Sequence, residues 1–345
     1  MKLHSLNLMN VEFFSYAFQG KTKFRYWLLM FLLLFIFAEV LGSLPFIAVM
    51  AIQATRGVDL HYSASNPMDL TGMGIPPSVG IMLAMMPFVL GFVAFVIFMK
   101  PVHQRPFKTL LTGARRFRWK RFFWAASVWL VLLAVYSLVA QLTGIETFHW
   151  SFDPNGFIGL VLVAIFIIPL QTGFEEVLFR GYLMQGFARL TLTRWVPLIV
   201  TTMIFGSLHF ANPEVQEYGA WMVMPQYLWF GLFFGICTIM DDGIELAWGA
   251  HAINNIFGTL FVTQEASAIP TKAFFTITKY NPSFDILALV AISLFFIWLA
   301  AKRFRWGNFS LLFKRIHLPL TEYNQNEIIA EPEIQPARSI DNSSY

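Results

Sequence analysis

Eight stretches of this chain are apolar over roughly 15 residues or more, and such stretches leave the backbone few choices. Inside hydrocarbon every N–H and C=O must be satisfied within the protein, so a spanning segment is a helix or part of a closed barrel. An unbroken apolar run of ~20 residues, rising 1.5 Å each, fits a helix across a ~30 Å hydrocarbon core. The runs fall at about 26–53, 76–99, 122–142, 156–173, 196–212, 226–240, 244–263 and 284–301. The expected fold is therefore all-α, a polytopic membrane bundle of about eight transmembrane helices. Composition agrees: 57% of residues are hydrophobic and 13% charged, against about 25% charged in soluble domains.

Charge is distributed unevenly. Lys100 to Arg121 holds eight Lys and Arg and no acid. Lys21 to Arg25, Arg180 to Arg194 and Lys302 to Arg315 are basic as well, and an eight-span count puts all four segments on one side. Cytoplasmic loops collect such residues, so both termini are predicted to be cytoplasmic, in a multi-pass protein of a bacterial plasma membrane. The partners that composition implies are membrane lipids; the net charge of +4 calls for no nucleic acid. Residues 1–20 read as an amphipathic interfacial segment, 21–318 as one membrane domain and 319–345 as a disordered cytoplasmic tail, too polar to offset its ordering entropy. One cysteine, Cys237, excludes an intramolecular disulfide and a cysteine-built metal cluster.

Against this apolar background the polar residues stand out, because a charge at membrane depth costs several kcal/mol and persists where it has a use. Glu175 and Glu176 follow the fourth apolar run. Adjacent helical residues point about 100° apart, so the two carboxylates are not expected to share a task. Glu176 and Arg180, four apart, can pair, leaving Glu175 free as a general base. Phe205 and His209 end the fifth run. His251 and Asn255, again four apart, put an imidazole and an amide on one face, a pair suited to holding an oxyanion. Each residue taken singly is explained equally well as interhelical glue. Glu39 in the first run reads as a hydrogen-bonded or interface residue, and Glu245 as a complement to a helix N-terminus.

Glu-Glu-x-x-x-Arg, Phe-x-x-x-His and His-x-x-x-Asn, in that order on separate apolar segments, resemble the CPBP family of intramembrane endopeptidases. These are the CAAX protease and bacteriocin-processing, or Abi, proteins. The resemblance covers roughly residues 156–263, the expected catalytic core. It implies a peptide or protein substrate and a catalytic set of Glu175, Glu176, Arg180, His209, His251 and Asn255. Glu175 would activate water with help from His209, while His251 and Asn255 would stabilise the tetrahedral oxyanion. No cofactor is expected. No His-Glu-x-x-His is present, although zinc held by Glu175, His209 and His251 stays open. Two other functions remain: a non-hydrolytic binding, immunity or scaffold protein using the same polar core, and, ranked last, a proton-coupled transporter. One geometric tension accompanies this reading. With the fifth run starting at Trp195, His209 lies ~21 Å deep, whereas a fourth run ending at 173 leaves Glu175 near the surface.

Overall fold

A computed structural model describes residues 13–58, 70–264, 266–269 and 271–316. Most of residues 1–20 and the tail expected from 319 lie outside these. Eight apolar helical segments form the bundle: α1 (Phe24–Thr55), α2 (Pro77–His103), α3 (Trp119–Thr143), α4 (Phe157–Thr191), α5 (Trp195–Ser207), α6 (Ala220–Asp241), α7 (Glu245–Leu260) and α8 (Pro282–Phe304). Six of them are long and apolar enough to cross a membrane; α5, with 13 residues, and α7, with 16, are shorter. At 1.5 Å per residue these two reach only ~20–24 Å. The two motif histidines belong to these short rods: His209 follows the end of α5 and His251 lies in the middle of α7.

The bundle turns apolar side chains outward, as lipid contact requires. Phe24, Leu142 and Ile158 are each more than three-quarters exposed, while Gln171, Glu175, Glu176, Arg180 and His251 are buried. A small sheet, absent from the all-helical expectation, joins β1 (Thr147–Trp150), β2 (Val262–Gln264) and β3 (Phe275–Lys279) in the order β1-β3-β2. β3 pairs antiparallel with β1 and parallel with β2. The sheet lies at one end of the molecule. At the other end the four basic segments converge: Lys21 N–H donates to the His103 carbonyl, and isolated bridges join Thr112 to Gly243 and Thr193 to Arg315.

Helix α4 decides the depth of the acids. Hydropathy falls after Leu170, but Gln171 to Arg180 contains nothing that ends a helix, and the segment continues to Thr191. Its two irregularities have local causes or consequences. A break at Ile167 precedes Pro169, whose ring lacks an N–H and crowds the preceding turn. A π-turn over Val177–Leu183 then follows the acid pair, a wide turn of the kind common at functional sites. The expected boundary at 173 is thus short by about 18 residues, and the tension disappears. Counted back from Thr191, Glu175 lies ~24 Å along α4; counted from Trp195, His209 lies ~21 Å along the antiparallel α5. Both residues reach the same level. Phe179 and Phe205, with rings 5.3 Å apart edge to face, bind the two helices there. Gly206 permits the neighbouring approach of α6, since a Cβ at that position would meet Leu228 Cδ2 at 2.6 Å.

Residues 13–18 depart from the expected surface helix. They form a 3₁₀ turn, Phe13–Phe18, buried against α4 and the basic end. Phe13 N–H donates to Asp242 Oδ1 at 2.7 Å, and Gln185 donates to the Phe13 carbonyl at 3.2 Å.

Candidate active site

The middle of α4 supplies one wall of the site. Gln171 and Glu175 stand one turn apart, and Gln171 Nε2 donates to Glu175 Oε1 at 2.6 Å. The next turn holds the ion pair expected from the sequence, Arg180 Nη1 to Glu176 Oε1 at 2.9 Å. Arg180 is almost wholly buried; its Nη2 donates to the Gly231 carbonyl at 3.2 Å and its guanidinium lies 4.6 Å from the Phe205 ring centroid. These contacts fasten α4 to α5 and α6.

Helix α7 brings His251 between the two acids. Its Nδ1 lies 2.8 Å from Glu176 Oε1 and its Nε2 lies 3.5 Å from Glu175 Oε2. A carboxylate only accepts, so Nδ1 carries a proton and donates to Glu176, leaving Nε2 toward Glu175. The adjacent carboxylates point apart, as their offset on the helix requires, yet they meet the same side chain. Diverging on α4, they straddle one imidazole and reach its opposite nitrogens. The Phe234 ring stacks on that imidazole at 4.9 Å and 19°. One turn further on, Asn255 Nδ2 donates to Gln171 Oε1 at 3.1 Å. A continuous polar chain results, running Asn255, Gln171, Glu175, His251, Glu176, Arg180.

His209 approaches from just beyond α5. Its Nδ1 sits 2.7 Å from the Phe205 carbonyl, which only accepts, so this nitrogen donates and the neutral ring presents Nε2 as an acceptor. Tyr227 stacks on it at 4.3 Å and 24°. The Tyr227 hydroxyl donates to Glu214 Oε1 and accepts from Asn212 Nδ2 at 2.9 Å. Among the described residues no hydrogen bond or ion pair joins His209 to Glu175. The two meet as walls of one cavity of about 700 Å³, which His251 and Asn255 also line. All six residues singled out in the sequence therefore lie in or directly beside one site.

The structure adds residues that the motifs did not indicate. Gln171 was legible in principle, lying four before Glu175. Asn254, which accepts from Trp129 Nε1 at 3.2 Å, was hidden beside Asn255. Glu214 and Tyr227 left no local sign, because they are 13 residues apart, one on the short helix Pro213–Tyr218 and the other inside α6. Glu39, in a π-turn of α1 over Ile36–Leu41, is corrected: its exposed side chain lines the cavity with no hydrogen-bond partner among the described residues. Glu245 opens the first turn of α7, as expected. It stays outside the cavity, where Arg118 donates to it from Nε at 2.8 Å, from Nη2 at 2.6 Å and from its backbone N–H at 3.1 Å.

Near the sheet, the Tyr136 hydroxyl touches both Glu146 Oε2, at 2.9 Å, and Asp285 Oδ1. A phenol has one proton to give, so the second contact needs a proton on a carboxyl group. Glu146, in the loop between α3 and β1, is pushed up to about 7 by burial and by the nearby Asp285 charge.

Zinc held by Glu175, His209 and His251 would have to use Nε2 of each imidazole, because Nδ1 of His209 meets the Phe205 carbonyl and Nδ1 of His251 meets Glu176. Among the described residues no three His, Cys, Asp or Glu side chains are gathered closely enough for a metal ion.

A helical membrane protein with a carboxylate pair bridged by an imidazole, open to a cavity at bilayer depth, is the class that fold and site together define. Residues 154–257 match the family described as type II CAAX prenyl endopeptidase, Rce1-like, and the chain carries a domain of that family over this stretch. The match contains every motif residue named above. The chain is also 33% identical over 201 residues to an uncharacterized protein, YyaK, of Bacillus subtilis (strain 168), covering 57% of this chain and 66% of that protein. No solved structure matches the chain.

Proposed function

We propose that this protein is an intramembrane endopeptidase in which Glu175 activates water. What carries the reading is the asymmetry of the acid pair: Glu176 is tied to Arg180 and His251, whereas Glu175 faces the cavity with a Gln amide on one oxygen and an imidazole nitrogen beside the other. Family membership over residues 154–257 supports the reaction class.

In this reading Glu175 takes a proton from water, and the water oxygen attacks the peptide carbonyl carbon. His209, with Nε2 as an acceptor, helps to orient that water. The amide of Asn255 donates to the oxyanion, and the imidazole of His251, held at Nδ1 by Glu176, joins it when a proton also sits on Nε2. Collapse of the tetrahedral species breaks the C–N bond, and the proton held by Glu175 passes to the leaving amine, so the balance closes without a cofactor. Glu176 and Arg180 act as positioning residues. The basic end, where the four cationic segments meet, is the cytoplasmic face, with both termini on that side of a bacterial plasma membrane.

The test uses purified protein in lipid nanodiscs and a neutral fluorogenic peptide library. Wild type is expected to cut some members, with and without chelator. Glu175→Gln is expected to lose roughly 1,000-fold in kcat/KM while retaining peptide binding. Equal cleavage by the variant and wild type overturns the role of Glu175; chelator-sensitive cleavage overturns the metal-free step.

A further inference from the structure

The cavity has a one-sided charge. Four carboxylates line it, from Glu39, Glu175, Glu214 and Asp285, and among the described residues no Lys or Arg does. The four are not equivalent. Asp285 is covered by the Tyr136 and Tyr280 hydroxyls, the latter donating to Oδ2 at 2.8 Å, and Glu175 is the proposed base. Two remain. Glu214 is nine-tenths buried, with Oε1 on Tyr227 and Oε2 buried and unpartnered in the cavity wall. Glu39 stands in the π-turn of α1 with an exposed carboxylate and no partner among the described residues. Neither has an arginine of the kind that meets Glu176, Asp241 and Glu245. A buried charge is retained where it is paired, and a missing partner is one the occupant can bring.

We infer that the cavity selects a peptide segment carrying Lys or Arg side chains, which Glu39 and Glu214 receive, and rejects a segment that places a carboxylate there. This deepens the proposed hydrolase and rests on that reading for the cleavage step alone. The cationic group enters a partly desolvated site whose field is negative, where attraction is stronger than at an exposed surface. A glutamate side chain placed beside Glu39 and Glu214 meets further acids and no Lys or Arg. The protein as a whole carries a net charge of +4, which by itself would attract anionic peptides. A preference for cationic ones thus has to originate in the cavity.

The experiment separates this inference from the hydrolase reading by measuring binding and cleavage independently. Three labelled peptides of one sequence, with Lys, Gln or Glu at the two positions flanking the central bond, are titrated against the protein in nanodiscs of zwitterionic lipid, and binding is read by fluorescence anisotropy. Wild type is expected to bind the Lys peptide at least tenfold more tightly than the Glu peptide, with Gln between. Glu39→Gln and Glu214→Gln are each expected to narrow that ratio at least threefold. A wild-type ratio near one, or a ratio unmoved in both variants, overturns the inference. Selective binding without cleavage of any peptide overturns the hydrolase reading and leaves the charge selection standing. Unselective binding with cleavage does the reverse.

Discussion

Two buried clusters in this protein use the same residue types for opposite ends. Where α6 turns into α7, Asp241 and Glu245 meet Arg118 and Arg121, and Trp306 Nε1 adds a hydrogen bond to Asp241 at 2.9 Å. In the middle of α4, Glu175 and Glu176 meet one arginine and one imidazole. The first cluster has a guanidinium for each acid and faces no cavity. It ties the start of α3 to the α6–α7 turn and so sets the height of α7. The second has one guanidinium for two acids, so one carboxylate is left over for chemistry. A saturated ionic cluster builds the frame; an unsaturated one, opened to a cavity, is where a proton can move.

Mutations can break that contrast. The largest effect is expected from Glu175→Gln, a roughly 1,000-fold fall in kcat/KM with thermal stability close to wild type, checked by peptide cleavage and by a melting curve. Glu245→Ala should behave in the opposite way. It removes one of two acidic partners from a partly buried Arg118, which keeps Asp241, and is expected to cost about 2 kcal/mol of stability, read in the melt, while the folded fraction cuts normally. If it instead lowers kcat at unchanged stability, the two clusters are coupled and the contrast fails.

A smaller effect sharpens the boundary between the two. Tyr227→Phe keeps the ring stacked on His209 but removes the hydroxyl that joins Glu214 and Asn212. It is expected to reduce kcat about threefold to tenfold with KM little changed, whereas Tyr227→Leu, which removes the stack as well, falls further.

The smallest effect concerns pH. The folded state raises Glu146 from its ordinary 4.5 to about 7, so between these values the folded protein holds more protons than the unfolded chain. Stability should therefore fall as pH rises from about 4.5 to 7 and level off above, by on the order of 1–3 kcal/mol. Glu146→Gln, which donates to Tyr136 at any pH, is expected to flatten that slope in melts taken from pH 5 to 8. An unchanged slope would show that other groups set it.

The legible part of the site was the part written in short spacings. Glu176 with Arg180, and His251 with Asn255, are one helical turn apart, and a sequence shows such pairs directly. The extent of α4 was illegible for a specific reason. Hydropathy reports solvent preference, and it drops at Gln171 although helix propensity does not; the run was cut just before the residues that matter. The meeting of His251 with Glu176 joins residues 75 apart in the chain, and that of Arg118 with Glu245 joins residues 127 apart. No local pattern records either. Glu39 was misread because a single acid in an apolar run looks the same whether it faces a neighbour helix or a cavity.

By itself the sequence determined the solvent and the chemistry available. Its long apolar runs admit only membrane helices, and its sparse polar residues name the acids, imidazoles and amide that such helices can bring together. Tertiary packing alone decided which carboxylate is saturated and which is left open. That outcome depends on how far α4 continues, on the height of α7 set by the Arg118 cluster, and on the Gly206 contact that lets α6 approach. Each of these is a distance between segments remote in sequence, fixed by the packing of side chains that no single stretch contains.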